Sequence, residues 1–263
     1  MAIIWSGGKW IDESEGFVAM SDRGVLHGLG VFETMLAIDG SLQHAERHER
    51  RLRKSIERLG LRPDLREWDL CALAHELCRK NNLHRGKSRL RLTVTAGEGS
   101  LHDTNPGGCA AIWLTAQALP ELPAEIAVVT LPFTRNERSP LKGLKCSSYA
   151  ENLVALRWAR ERGAGEGIFF NNCGYLCEAC TANVFVKIDG QWLTPSLDSG
   201  CLPGVMREIV LEKNPCIGES DISREDFHHA ESMFLTSAIR GMLPVSTCDG
   251  KSLSALIDID IVC

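Results

Sequence analysis

The stretch NNCGYLCEACTANVFVKIDGQWLTP, residues 171–195, carries Cys173, Cys177 and Cys180, and its reading decides what kind of fold this is. Cys177-Glu178-Ala179-Cys180 has the spacing of half a zinc knuckle or of a redox pair. A structural zinc site needs a second ligand pair at similar spacing. None is present: His44 and His48 are four apart but lie in an arginine-rich helical stretch. A thioredoxin-like pair belongs at a strand-to-helix turn. Here NVFVKIDGQWLTP follows instead, which is a hairpin signal. The two thiols then read as small side chains packed around what lies between them, Glu178.

The rest of the chain fits a sheet protein. MAIIWSGGKWI and GVFETMLAIDGSLQ read as strands, the second with a turn at Asp39-Gly40. Two helical stretches follow. Over residues 44–59, Leu52, Ile56 and Leu59 recur at helical spacing; over 66–82, Trp68, Leu70, Leu73 and Leu77 form the apolar stripe. SRLRLTVTAG, residues 88–97, sets Arg89, Arg91, Thr93 and Thr95 against Leu90, Leu92 and Val94, a half-buried strand with one polar face. AAIWLTA is the next strand. QALPELPAE, residues 117–125, has two prolines and no helical period, and reads as a linker.

Beyond it come a strand (EIAVVTLPF), a loop to residue 145, and a helix from Ser148 to Arg162 with Gly163 as its natural cap. Strands GIFFN and VFVKI, a loop running into a helix (PSLDSGCLPGVMREIVLEK), a strand SMFLTSAI and a hairpin LPVSTCDGKSL complete the chain. This order predicts an α+β (mixed α/β) fold in two lobes with prominent antiparallel hairpins. The expected division is an N-terminal domain over 1–116, the linker 117–125, and a C-terminal domain over 126–263.

Bulk properties narrow the function. The net charge is −5, from 29 Lys+Arg and 34 Asp+Glu, which is unfavourable for a nucleic-acid binder. The basic cluster HAERHERRLRKSIERLG, residues 44–60, is interleaved with glutamates and reads as a solvated helix face. The start turns polar too early for a secretory leader, and no apolar run is long enough to span a bilayer. The expected compartment is therefore the cytoplasm, with no membrane partner. There disulfides are rare, so most of the 11 cysteines should be small buried hydrophobes. Gly24, Gly28 and Gly30 stand in the wrong order for a dinucleotide fingerprint, and no helix follows them.

Three features call for chemistry. Lys145, in PLKGLKCSSYAEN, sits in a loop just before a helix. Glu178 lies between small apolar neighbours, and a buried carboxylate needs a partner. In LPGVMRE, residues 202–208, Gly204 opens a helix whose first backbone N–H groups suit a phosphate.

With these residues in view the chain resembles the class IV aminotransferase family, the fold-type IV pyridoxal 5'-phosphate enzymes. That family includes branched-chain aminotransferases, D-amino acid aminotransferases and aminodeoxychorismate lyases. The resemblance runs through SDRGVLHGLGVFET (21–34), HERRL (48–52), LKCSSYAENLVA (144–155), GYLCEACTANVFVKIDG (174–190), LDSGCLPGVMRE (197–208) and FLTSAIRGMLPV (234–245). It implies a two-domain, D-amino acid aminotransferase-like fold, pyridoxal 5'-phosphate as cofactor, amino acid and 2-oxo acid substrates, and a homodimer.

The resemblance also implies roles. Lys145 matches the lysine that forms the Schiff base and shuttles a proton; Lys142 reads as a solvated neighbour. Such an amine attacks only when neutral. Glu178 matches the carboxylate facing the pyridine nitrogen. Arg51 matches the phosphate-binding arginine, with Arg50 beside it on the surface. The amides of Val205 and Met206, together with Thr236 and Ser237, match a phosphate-holding helix start and strand end. Ala238 departs from relatives that place a phosphate-contacting Thr there. Tyr149 resembles a tyrosine near the cofactor's phenolic oxygen, and Asn183 fits a structural or catalytic role.

Substrate recognition is less patterned. Leu101 and Asp103 stand where D-amino acid aminotransferases carry an Arg-x-His carboxylate trap. The expected substrate-side residues are Arg91, Arg240, His27 and Glu33. The shared scaffold leaves two reactions open, amino transfer and pyruvate elimination from aminodeoxychorismate. A non-catalytic cofactor carrier is disfavoured by the presence of both Lys145 and Glu178.

Overall fold

The computed structural model describes residues 1–64, 68–102 and 110–259 of the chain. Asp103 lies outside the described residues. The chain divides into two compact units, one of Met1–Glu121 with Leu144–Ser148, the other of Leu122–Gly143 with Tyr149–Cys263. The sequence division assigns Lys145 to the C-terminal domain, but its short stretch groups with the first unit.

The first unit is built on an antiparallel six-stranded sheet. Its strands are β1 (Ile3–Ser6), β2 (Lys9–Asp12), β3 (Gly30–Ile38), β4 (Ser41–Leu42), β5 (Lys87–Thr95) and β6 (Ile112–Ala118), in the order β2-β1-β6-β5-β3-β4. Asp39 and Gly40 both adopt positive φ, which the tight turn between β3 and β4 requires. Helices α1 (Arg23–His27), α2 (Ala45–Arg58) and α3 (Leu70–Lys80) complete the unit. α3 begins at Leu70 because the Asp69 side chain accepts from Ala72 N–H and caps it; Trp68 packs on the core from outside the helix.

Register sorts the side chains of this sheet. Glu33 pairs with Leu92 and Met35 with Leu90, so Glu33 shares the face that packs in the core with Leu52, Ile56 and Leu77 from α2 and α3. Each of those leucines is fully buried and contributes roughly 2 kcal/mol by leaving water. Phe32 pairs with Thr93 and Thr34 with Arg91, on the opposite face. The expected polar face of β5 is only half exposed. Arg89 and Arg91 reach solvent, whereas Thr93 and Thr95 are buried, Thr95 donating to Asp22 Oδ2 at 2.7 Å.

The second unit holds a mixed nine-stranded sheet. Its strands are β7 (Ile126–Arg135), β8 (Glu166–Asn171), β9 (Leu176–Ala179), β10 (Asn183–Ile188), β11 (Gln191–Pro195), β12 (Gly218–Ser220), β13 (Ser232–Ser237), β14 (Gly241–Cys248) and β15 (Lys251–Ser252). The order is β12-β11-β10-β13-β14-β7-β8-β9, with β15 on β14. Helices α4 (Ala150–Arg160), α5 (Val205–Lys213) and α6 (Arg224–His228) accompany it. Among the described residues no helix is long and apolar enough to cross a membrane.

The Cys177–Cys180 stretch is β9 and its turn toward β10. Both thiols are buried beside Leu131, Phe169 and Cys201. Burial pushes the Cys177 thiol far up and the Cys180 thiol up to about 12, so both stay protonated.

Candidate active site

In the first unit the backbone of Lys145 is clipped to a free edge of β3. β4 covers only Ala37 and Ile38 of that edge, and residues 145–147 take its other end. Phe32 N–H donates to Lys145 O at 2.9 Å, Ser147 N–H donates to Gly30 O at 2.9 Å, and Val31 bridges Cys146. A loop lysine is thereby fixed as firmly as a strand residue. Its Nζ lies 4.4 Å from the centre of the Phe32 ring, and the guanidinium of Arg91 lies 3.7 Å from the same ring. The two cations are therefore at most about 8 Å apart, within a Debye length at physiological salt.

On the other face of β3, α2 lowers His48 and Arg51 onto Glu33. Arg51 donates from Nε to Oε1 at 2.8 Å and from Nη2 to Oε2 at 2.6 Å, a bidentate pair. His48 Nδ1 lies 2.7 Å from Oε2. Burial pushes the Glu33 carboxyl upward, but the Arg51 guanidinium and His48 outweigh it and hold it at about 2. Glu33 is thus an acceptor only, and the proton of the third bond sits on His48 Nδ1. Glu33, expected on the substrate side, is buried with both oxygens engaged inside this unit. His27 stands exposed at the end of α1.

In the second unit Glu178 sits on β9 and is mostly buried. Its Oε2 accepts from Leu202 N–H at 2.8 Å, and Oε1 lies 3.2 Å from Arg135 Nε. Arg135 ends β7, stacks 4.2 Å from the Phe169 ring centre and donates to Glu151 Oε2 at 2.6 Å. Burial works against this guanidinium, but the Glu178 and Glu151 carboxylates outweigh it and hold its pKa above the ordinary value. Sequence reading missed Arg135. The available signal was the uncharged run of residues 126–134 that it terminates, since a charge ending an apolar strand needs a partner.

Tyr149 stands at the start of α4 and donates to Cys180 O at 3.2 Å; burial, with Glu178 and Glu166 nearby, pushes its hydroxyl upward. α5 opens at Gly204 without a side-chain cap, so the first-turn amides of Val205 and Met206 have no intrahelical acceptor. A Cβ at position 204 would run into Asn183 Oδ1, so a larger residue there would displace that side chain. Asn183 in turn donates to Leu202 O at 2.8 Å and pairs with Thr236 across β10 and β13. The Thr236 hydroxyl is buried with no hydrogen-bond partner among the described residues. Ser237 Oγ accepts from Arg240 N–H at 3.2 Å. The Arg240 guanidinium lies 3.5 Å from Glu166, a fully buried carboxyl that burial pushes upward and that also accepts from Thr181 Oγ.

These placements group Lys145 and the Glu33–His48–Arg51 cluster in the first unit, and Glu178, the uncapped start of α5 and the Thr236 hydroxyl in the second. Known proteins share the chain's pattern. It is 28% identical over 259 residues to a candidate branched-chain-amino-acid aminotransferase of Methanocaldococcus jannaschii, covering 95% of this chain and 89% of the other. It is 26% identical over 269 residues to the aminodeoxychorismate lyase of Bacillus subtilis, covering 97% and 92%. Among solved structures, a fold IV transaminase from Curtobacterium pusillum superposes with a TM-score of 0.86 at 30% identity, over 98% of this chain and 95% of that one. The amino-transferase class IV profile matches residues 30–248, and the chain belongs to that family.

Proposed function

We propose that this protein is a pyridoxal 5'-phosphate-dependent aminotransferase that moves an amino group between a small amino acid and a 2-oxo acid. The observation that carries the reading is Glu178, a mostly buried carboxylate held by Arg135 and Leu202 N–H. A fold that needed only packing there would place an apolar residue. A carboxylate steadied by a guanidinium is suited to keep a ring nitrogen protonated.

The residues fit the cofactor. The orphaned Thr236 hydroxyl, the uncapped amides of Val205 and Met206, and Gly204, whose Cβ would meet Asn183, make a cradle for a phosphate. Ser237 and Arg51 are the remaining phosphate groups in this reading. When bound, the cofactor supplies the aldehyde that takes up the amino group and the ring that draws off electrons from the substrate's α-carbon. Lys145 Nζ is its attachment point and then carries the proton to and from that carbon. Tyr149 holds the phenolic-oxygen side. Arg91 and Arg240 are the candidates for the substrate carboxylate, with His27 on the substrate side. The working assembly in this reading is a homodimer.

Coverage of 97% of this chain by a lyase relative favours one second reading, pyruvate elimination from 4-amino-4-deoxychorismate to leave p-aminobenzoate. The visible absorption spectrum, recorded with pyridoxal 5'-phosphate before and after a panel of L- and D-amino acids, separates the two. Conversion of the lysine-bound band to the pyridoxamine form is the result expected for amino transfer, and it names the donor. A band that no amino acid moves, with pyruvate released from aminodeoxychorismate, selects the lyase. Absence of any lysine-bound band overturns both.

A further inference from the structure

We infer that Glu33 and His48 are positioning residues that preset the Arg51 guanidinium for the cofactor's phosphate; this rests on the reading of Arg51 as a phosphate ligand. Three bonds converge on one carboxylate. Arg51 Nε and Nη2 engage the two oxygens in parallel, and His48 Nδ1–H fixes the second oxygen from the side. Two points fix the guanidinium plane, and the third stops the carboxylate from rotating with it. The guanidinium plane is then set by the sheet and by α2 rather than by a flexible side chain. His48 and Arg51 are one turn apart on α2, and both contacts fall on the helix face that also carries Leu52, Ser55 and Ile56 into the core.

The location argues for a task beyond folding. Glu33 and His48 are each 1% exposed, on a sheet face otherwise packed with Val31, Met35, Leu90 and Leu92. An apolar pair of similar volume would hold the helix on the sheet as well or better. What an apolar pair cannot do is orient a guanidinium. Arginine carries large rotamer freedom, and holding it before the ligand arrives removes that loss from binding.

The test uses pyridoxine 5'-phosphate and unphosphorylated pyridoxine as probes. Neither carries an aldehyde, so Lys145 chemistry does not enter. Calorimetric titration of the full-length protein gives the affinity ratio between the two, which reports the phosphate alone. Arg51→Ala is expected to collapse that ratio by about a hundredfold. Glu33→Gln is expected to lower it by about tenfold and His48→Gln by a smaller factor, with pyridoxine binding unchanged. In the Arg51→Ala background Glu33→Gln should add nothing further, a non-additivity that a merely structural residue would not show. An unchanged ratio in Arg51→Ala overturns the phosphate reading of that arginine, and the inference with it. A collapsed ratio in Arg51→Ala with a wild-type ratio in both Glu33→Gln and His48→Gln overturns the inference alone. If Glu33→Gln does not fold, His48→Gln carries the decision by itself.

Discussion

Glu33 with Arg51 in the first unit and Glu178 with Arg135 in the second are both buried glutamate–arginine pairs, and they are held in different ways. In the first unit Glu33 meets Arg51 through two parallel bonds and also takes His48, so every oxygen is spent on holding its neighbours. In the second, Glu178 meets Arg135 at one nitrogen, and its other oxygen takes a backbone amide from Leu202. Arg135 donates to Glu151 and lies over the Phe169 ring, while its Nε and Nη2 make no hydrogen bond among the described residues. The same two residue types are thus held by a bidentate pair with a histidine in one unit, and by one close nitrogen with a backbone amide in the other.

The comparison breaks most visibly at Glu178. Glu178→Gln keeps the shape and removes the charge, so turnover should fall about a thousandfold while cofactor affinity stays near wild type. Steady-state kinetics beside a pyridoxal 5'-phosphate titration checks this, and a near-wild-type rate would make Glu178 a mere packing partner. Arg135→Gln comes next. It leaves Glu178 and Glu151 without their cation, and loss of one partner of a buried pair costs roughly 3 kcal/mol. Turnover should fall about tenfold to a hundredfold in proportion to the loosened carboxylate. A drop in thermal midpoint with unchanged turnover would confine Arg135 to stability.

The first-unit pair is tested by acid. The Glu33 proton binds near 4.5 in an unfolded chain and at about 2 in the folded one. The stability it contributes is therefore complete above pH 4.5 and is lost as pH falls toward 2; higher pH leaves it intact. It amounts to roughly 3 kcal/mol at neutral pH, of which roughly half should be gone by pH 3. Urea unfolding of the wild type and of Glu33→Gln across that range should show the gap closing. A gap that does not depend on pH would place the proton elsewhere. The smallest effect is expected at the cysteines. Cys177→Ala and Cys180→Ala should leave turnover within about twofold and cost about 1 kcal/mol each through lost packing. A large loss of activity would return the thiols to the chemistry.

The contrast between the units follows what short-range pattern can and cannot record. Turn chemistry and period were legible. Asp39-Gly40 marked the β3–β4 turn, and Leu52 and Ile56 marked the buried face of α2. Glu178 was legible because its neighbours on β9 are small and apolar, which exposes the need for a partner. The partner itself was not, because Arg135 and Glu178 are brought together by strand pairing across 43 positions, and nothing near either residue encodes that. Glu33, like His27, was assigned to the substrate side because it lies on the N-terminal segment that the resemblance places on that side. Pleating sends adjacent residues to opposite faces, and only the register of β3 on β5 shows which face holds the helices. The grouping of Lys145 with the first unit was hidden for the same reason, since its clip to β3 joins residues more than a hundred positions apart.

That clip has a consequence for modularity. The chain leaves the first unit after Glu121, lends it Leu144–Ser148 from the midst of the second, and does not return. A gene cut between positions 121 and 122 would yield one piece with the receiving strand edge and another with the lysine, and neither with both. Recombination at the natural-looking joint would therefore separate Lys145 from the strand edge that holds it. Swapping units between relatives would demand that Val31–Phe32 of one parent accept Cys146 and its neighbours from the other. The five-residue loan makes the two units one unit of inheritance.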